Sequence, residues 1–266
     1  MKLRVFSSIL MLALFIPILI IGDTIYAVFI AFISVLALRE LLKIRQNSKD
    51  FPFSLTLISL VFVVFLTLNH YKDVTFQYSI EYWVIAILLF TYLLPLVFIN
   101  DNKKYSLNDA LYLIGSVLFI GISFGLMILI RNYKFDYVIY IFLISMVTDT
   151  FALFTGKHIG KHKLAPKISP KKTVEGLIGG TLMGSFIPAL YFYTVVNSNL
   201  NIFMIIFVTI CLSLLGQAGD LVFSFIKREH NQKDFSNIIP GHGGILDRLD
   251  NIIFVALGFL LFLVIV

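Results

Sequence analysis

Nine apolar runs, each close to the roughly 17 to 25 residues that a helix needs to cross a bilayer, take up most of this 266-residue chain. They cover residues 4–21, 24–42, 52–69, 80–99, 107–130, 136–155, 175–196, 200–219 and 250–266. In hydrocarbon a backbone must satisfy its own N–H and C=O groups, so such runs become helices. Composition agrees: 59% hydrophobic and 14% charged residues, with a mean hydropathy of +0.95, exclude a soluble globular surface. The expected fold class is all-α, a polytopic integral membrane protein of about nine transmembrane helices forming a single membrane domain, 1–266. The first run follows Lys2 and Arg4 without a small-x-small cleavage site before Asp23, and reads as a retained anchor. The one cysteine, Cys211, lies in an apolar run and reads as a small buried hydrophobe.

The basic residues orient the expected bundle. With the N-terminus cytoplasmic and the C-terminus outside, nine crossings leave 18 of the 21 Lys and Arg residues inside, Lys49 among them; Lys72, Arg131 and Lys134 fall outside. Both long polar loops, 156–174 and 228–247, are then cytoplasmic. A net charge of +6 suits a polyphosphate and an anionic lipid headgroup.

The stretch from Asp220 to Asp250 concentrates charge in a sequence where charge is scarce. On an unbroken helix Asp220, Ser224 and Lys227 stand at i, i+4 and i+7 and share a face. The glycines of Pro240-Gly241-His242-Gly243-Gly244 permit positive φ and can turn consecutive N–H groups toward an anion. Asp247, Arg248 and Asp250 then open the last apolar run, and carboxylates at two helix ends suit a hard cation such as Mg²⁺. Upstream, Asp149 lies inside an apolar run, where an ionisable group is costly and by default functional, the alternative being a packing acid paired with a loop lysine. Ser169-Pro170 reads as an N-cap and first helical residue, aiming free N–H groups at an anion beside Lys167, Lys171 and Lys172. A solvated positive loop is the other reading. Glycine ridges at Gly176, Gly180 and Gly184, and at Gly121 and Gly125, read as close helix contacts, as do Gly216 and Gly219. His70, His158, His162 and His230 have no zinc-ligand spacing with a cysteine.

Two blocks of these residues resemble the signature of phosphatidate cytidylyltransferases, the CDP-diacylglycerol synthases. The downstream block is Ser224, Lys227-Arg228, Lys233-Asp234, His242-Gly243-Gly244 and Asp247-Arg248-Leu249-Asp250. The upstream block is Asp149-Thr150-x-Ala152, Gly156-x-x-x-Gly160-Lys161 and Ser169-Pro170-Lys171-Lys172-Thr173-x-Glu175-Gly176, with Leu153 departing from an aromatic position. The resemblance covers 149–250; residues 1–148 match only in hydropathy. It implies transfer of the cytidylyl group of CTP to phosphatidate, with Mg²⁺ and release of pyrophosphate. The catalytic residues it implies are Asp149, Asp220, Lys227, Arg228 and Asp247, with Asp220 and Asp247 on the metal, a second cation being left open. Substrate-binding residues would be Ser224, Lys167, Ser169, Lys171, Lys172, Thr173, Glu175, Lys233, Asp234, His242, Gly243, Gly244, Arg248 and Asp250. The partners expected are CTP, phosphatidate, membrane lipids and a second copy of the chain through the glycine ridges, but no nucleic acid. The setting expected is a bacterial plasma membrane with the active site toward the cytoplasm. A CTP-dependent lipid kinase and a cation transporter using Asp149, Asp220 and Asp247 are the alternatives.

Overall fold

The computed structural model describes residues 2–46, 50–69, 71–72, 82–99, 101, 103–196 and 200–265. Lys49, His70 and residues 80–81 of the fourth run lie outside these. Among the described residues each apolar run is a helix: α1 Lys2–Ile21, α2 Asp23–Gln46, α3 Phe53–Leu68, α4 Tyr82–Ile99, α5 Leu107–Tyr133, α6 Phe135–Ile159, α7 Val174–Tyr191, α8 Ile202–Glu229 and α9 Leu246–Ile265. A short antiparallel hairpin, β1 Lys163–Ala165 and β2 Ser169–Thr173, joins α6 to α7. A π-helical turn, Phe192–Val196, extends α7.

A helical run is not the same as a crossing, and the expected nine crossings are not met. Among the described residues six helices are long and apolar enough to span a membrane: α2, α4, α5, α6, α7 with its π turn, and α8. The 16 residues of α3 rise only about 24 Å at 1.5 Å each, short of a hydrocarbon core of roughly 30 Å. The described apolar part of α1, Ile9–Ile21, is shorter still. Helix α9 spends its opening on Asp247, Arg248 and Asp250. The orientation with N-terminus inside and C-terminus outside rested on nine crossings, and it falls with them. What stands is an all-α polytopic membrane protein with one small hairpin.

The chain forms two units, Met1–Tyr133 with Asp234–Leu246, and Lys134–Lys233 with Asp247–Val266. In the first, α5 is buried along most of its length and takes α2, α3 and α4 against it. Its Gly121 and Gly125 lie against Leu66 and Thr67 of α3. Helix α1 ends at Gly22, whose φ is +73°. Arg131 caps that end, donating from Nε to the Leu19 carbonyl at 2.8 Å and from Nη2 to that of Ile20 at 3.0 Å.

In the second unit α6 and α7 pack through two ridges of small residues. Gly176, Gly180 and Gly184 of α7 face Gly156, Ala152 and Thr148 of α6 in antiparallel order. Buried hydroxyls pair between α6 and α8: Thr148 with Ser213 at 2.8 Å and Tyr140 with Thr209 at 2.6 Å. Gly216 and Gly219 of α8 likewise admit Asn251, Val255 and Phe254 of α9.

A Cβ at Gly180 would stand 2.8 Å from the Ala152 Cβ and 2.9 Å from the Thr148 carbonyl oxygen. Gly180→Val should therefore destabilise the protein by about 1–3 kcal/mol through overpacking, read as a lowered melting temperature in detergent. Gly115→Ala is the control, because nothing lies within 4 Å of that Cβ; it should melt at or slightly above the wild-type temperature.

Candidate active site

Helix α8 runs unbroken past Lys227, so Asp220, Ser224 and Lys227 do share a face, and Ser224 Oγ donates to Asp220 Oδ1 at 3.2 Å. The other side chains come from α6, β2 and α9. Lys172 Nζ lies 2.7 Å from Asp220 Oδ2. Lys227 Nζ lies 2.7 Å from Asp247 Oδ1. Asn251 Nδ2 donates to Asp149 Oδ1 at 2.8 Å. Asp149 stands in the field of Asp220 and Lys172, and Asp250 in that of Asp220, Asp149 and Lys227. In the polar opening of α9, outside the six spanning helices, the Asp250 carboxyl is raised above the ordinary carboxylate range by burial and then by Asp220.

A cleft of about 400 Å³ opens beside this cluster. Asp149, Lys171, Lys172, Gln217 and Asp220 are among its polar lining residues, and Leu153, Leu164 and Leu177 among its apolar ones. The hairpin corrects the expected helix start at Ser169-Pro170. Residues Ser169–Thr173 are a strand, Ser169 pairs with Ala165, and α7 begins at Val174 with Thr173 as its cap, accepting from the Gly176 amide at 3.1 Å. Glu175 in the first turn of α7 holds the start of the hairpin. It accepts from the backbone amides of Lys161 and His162 at 3.1 and 3.2 Å and pairs with His162 Nδ1 at 2.6 Å. Arg228 holds its turn, donating to the Ile168 carbonyl at 3.3 Å and to that of Gln232 at 2.8 Å. Lys167, Lys233 and Arg248 are exposed.

The family model described as the cytidylyltransferase family matches residues 2–266. The chain belongs to that family. It is 36% identical over 258 residues to the phosphatidate cytidylyltransferase of Staphylococcus haemolyticus (strain JCSC1435), with 96% of each chain covered. It is 37% identical over 255 residues to the phosphatidate cytidylyltransferase of Staphylococcus aureus (strain COL), again with 96% of each covered. The likeness therefore extends through residues 1–148, which had matched only in hydropathy.

Four residues of the family motif, Asp234 and His242-Gly243-Gly244, belong to the first unit. Gly241 and Gly243 have φ of +77° and +86°, as the turn requires, and Ile239 N donates to the Gly243 carbonyl at 2.9 Å. The N–H groups that follow bind an anion of the chain itself: Ile245 and Leu246 donate to Glu40 of α2, both at 2.9 Å. Sequence reasoning missed Glu40, as it missed Asn251 and Gln217. The Gln217 Nε2 donates to Thr181 Oγ1 at 2.9 Å, and the Gln217 backbone carbonyl accepts from Lys172 Nζ at 3.4 Å. All three are polar residues in or beside apolar runs, which is the signal that could have marked them.

The oxygen donors fit a hard cation by chemistry: Asp149, Asp220, Asp247 and Asp250, with the Asn251 Oδ1, a buried acceptor that has no hydrogen-bond partner. Asp220 and Asp247, however, each hold a lysine, and among the described residues no group of three or more acidic, His or Cys side chains converges as a metal site.

The two ion pairs differ in burial. Side-chain exposure is 9% and 5% for Lys227 and Asp247, against 25% and 30% for Lys172 and Asp220. Lys227→Ala should cost about 3 kcal/mol, because it strands a buried carboxylate. Lys172→Ala should cost under about 1 kcal/mol. Comparing their thermal melts with that of Lys227→Ala/Asp247→Ala checks this: the double variant should be more stable than Lys227→Ala alone.

Proposed function

We infer that this chain transfers the cytidylyl group of CTP to phosphatidate, forming CDP-diacylglycerol and pyrophosphate. The observation that carries the reading is the cleft, whose lining combines Lys171, Lys172, Asp149 and Asp220 with Leu153, Leu164 and Leu177. A lining of basic and apolar side chains suits both a polyphosphate and a lipid. Relatives named for this activity match along nearly the whole chain.

The phosphate of phosphatidate is already ionised at neutral pH, so alignment and charge neutralisation do most of the catalysis. One of its oxygens attacks the α-phosphorus of CTP. As that P–O bond forms, the bridge to the β-phosphorus breaks and its electron pair leaves on pyrophosphate. Lys172, held by Asp220, and Lys171 take phosphate oxygens, while Ser224 keeps the Asp220 carboxylate in one rotamer. Lys227 and Arg228 add positive charge at the end of α8, where the leaving group gathers charge. Mg²⁺ when bound would neutralise phosphate charge; Asp220 and Asp247 are the carboxylates we propose for it.

Bacterial relatives and six apolar helices make this an integral membrane protein of a bacterium. We place it in the plasma membrane with the cleft toward the cytoplasm, where CTP is made. The lysines of the α6–α7 connection, from Lys157 to Lys172, support that side. The glycine ridges, filled by the chain's own helices, leave a homodimer without that support.

A labelled nucleotide separates transferase from kinase. Label on the α-phosphate of CTP should enter the lipid, and γ-label should leave as pyrophosphate. γ-Label in the lipid with α-label in soluble CDP would replace this reading by the kinase. Asp220→Asn should lower turnover by about 100-fold or more with little change in melting temperature, since its pair is partly exposed.

A further inference from the structure

We propose that Glu40 is a positioning residue for the reaction: its carboxylate fixes the glycine loop and the start of α9, one residue before Asp247. The proposal rests on the cytidylyltransferase reading above. Glu40 stands near the end of α2 and is 2% exposed. Its Oε1 accepts from Ser236 Oγ at 2.6 Å and from the Ile245 amide at 2.9 Å, and its Oε2 accepts from the Leu246 amide at 2.9 Å. None of these donors carries a charge, so the buried carboxylate is stabilised by oriented dipoles and by the positive end of α9. The contact spans about two hundred residues of sequence and closes both ends of the loop, Ser236 at one side and Leu246 at the other.

Gly244 provides the independent observation. Its two motif neighbours differ from it in what they need. Gly241 and Gly243 have positive φ, whereas Gly244 does not. What a side chain at Gly244 would meet is Glu40: a Cβ there would lie 2.6 Å from both carboxylate oxygens. The last glycine of the loop is therefore a seat for Glu40. Helix α9 begins at Leu246 with its first amide on that carboxylate, and Asp247 follows in the first turn. Through the Ile245 and Leu246 amides the carboxylate anchors the backbone that leads directly into Asp247.

The test uses the full-length protein in lipid–detergent micelles with CTP and phosphatidate. Glu40→Gln keeps the shape but turns an NH₂ toward an N–H donor. It should lower kcat about tenfold or more while KM for both substrates stays within about twofold, the pattern of lost transition-state alignment. Glu40→Asp, which keeps two oxygens on a shorter stem, should recover part of kcat. Gly244→Ala should reproduce the kcat loss, and the double variant should be little worse than either single one. Amide hydrogen exchange at Ile245 and Leu246 should quicken in Glu40→Gln, and this reads the clamp without any catalysis. Wild-type kcat in Glu40→Gln, a loss matching only a loss of folded protein, a rise in KM alone, or additive effects with Gly244→Ala would each overturn the proposal. If Glu40→Gln does not fold, Gly244→Ala with its exchange pattern decides the matter. Failure of the wild type to move α-label into lipid would instead defeat the transferase reading, leaving the exchange result standing.

Discussion

A carboxylate set beside hydrocarbon must have its charge answered within a few ångströms, and four of the acids described above obey this, each in its own way. Asp220 and Asp247 each take a lysine, Asp149 takes an amide, and Glu40 takes two backbone N–H groups and a hydroxyl. The four answers differ in strength. An ammonium leaves when a stronger anion arrives, whereas a backbone amide cannot leave without unwinding the helix that holds it. Asp220, on the cleft, is thus answered by a mobile group, and the acid that holds the loop is answered by fixed ones.

Packing makes those answers possible. The ridge of Gly176, Gly180 and Gly184 brings α7 against α6, and at Gly184 the missing side chain leaves room for Thr148 of α6 to pair with Ser213 of α8. On α8, Gly216 leaves room for Asn251, whose amide then orients Asp149. Larger residues at these glycines would fill the space that the polar contacts occupy. Helix contact in a bilayer gains little from burying apolar surface, so van der Waals fit and such buried hydrogen bonds must hold the helices together.

The sequence was most legible where a pattern is local. Spacing of three to four residues put Asp220, Ser224 and Lys227 on one face, and α8 carries them so. Apolar length located each helix but overstated the crossings, because length alone does not see that α3 is too short or that α9 begins with three charged residues. The hairpin was missed for a different reason. Its strands have three and five residues, carry three lysines between them, and show no apolar alternation for a period of two to register. Proline at position 170 read as a helix start, yet it sits equally well in an edge strand, where its missing N–H costs nothing. Glu40 could be marked by its place beside an apolar run, but its role could not be read, since its partners lie about two hundred residues away and two of them are backbone amides.

The two lysine pairs show why burial, more than distance, sorts the site residues. Both ammonium–carboxylate contacts measure 2.7 Å, so their bare Coulomb attraction is alike. Lys172 and Asp220 keep water on about a quarter of each side chain, and water screens the attraction and competes for both partners. That pair can open for a phosphate at small cost. Lys227 and Asp247 have given up nearly all their hydration, and only the intact pair repays that loss. It follows that Asp247 is held in place by its buried pair with Lys227, while Asp220 can exchange its lysine for another partner and still keep the Ser224 hydrogen bond. A site with one fixed and one exchangeable carboxylate can admit a charged substrate without losing its shape.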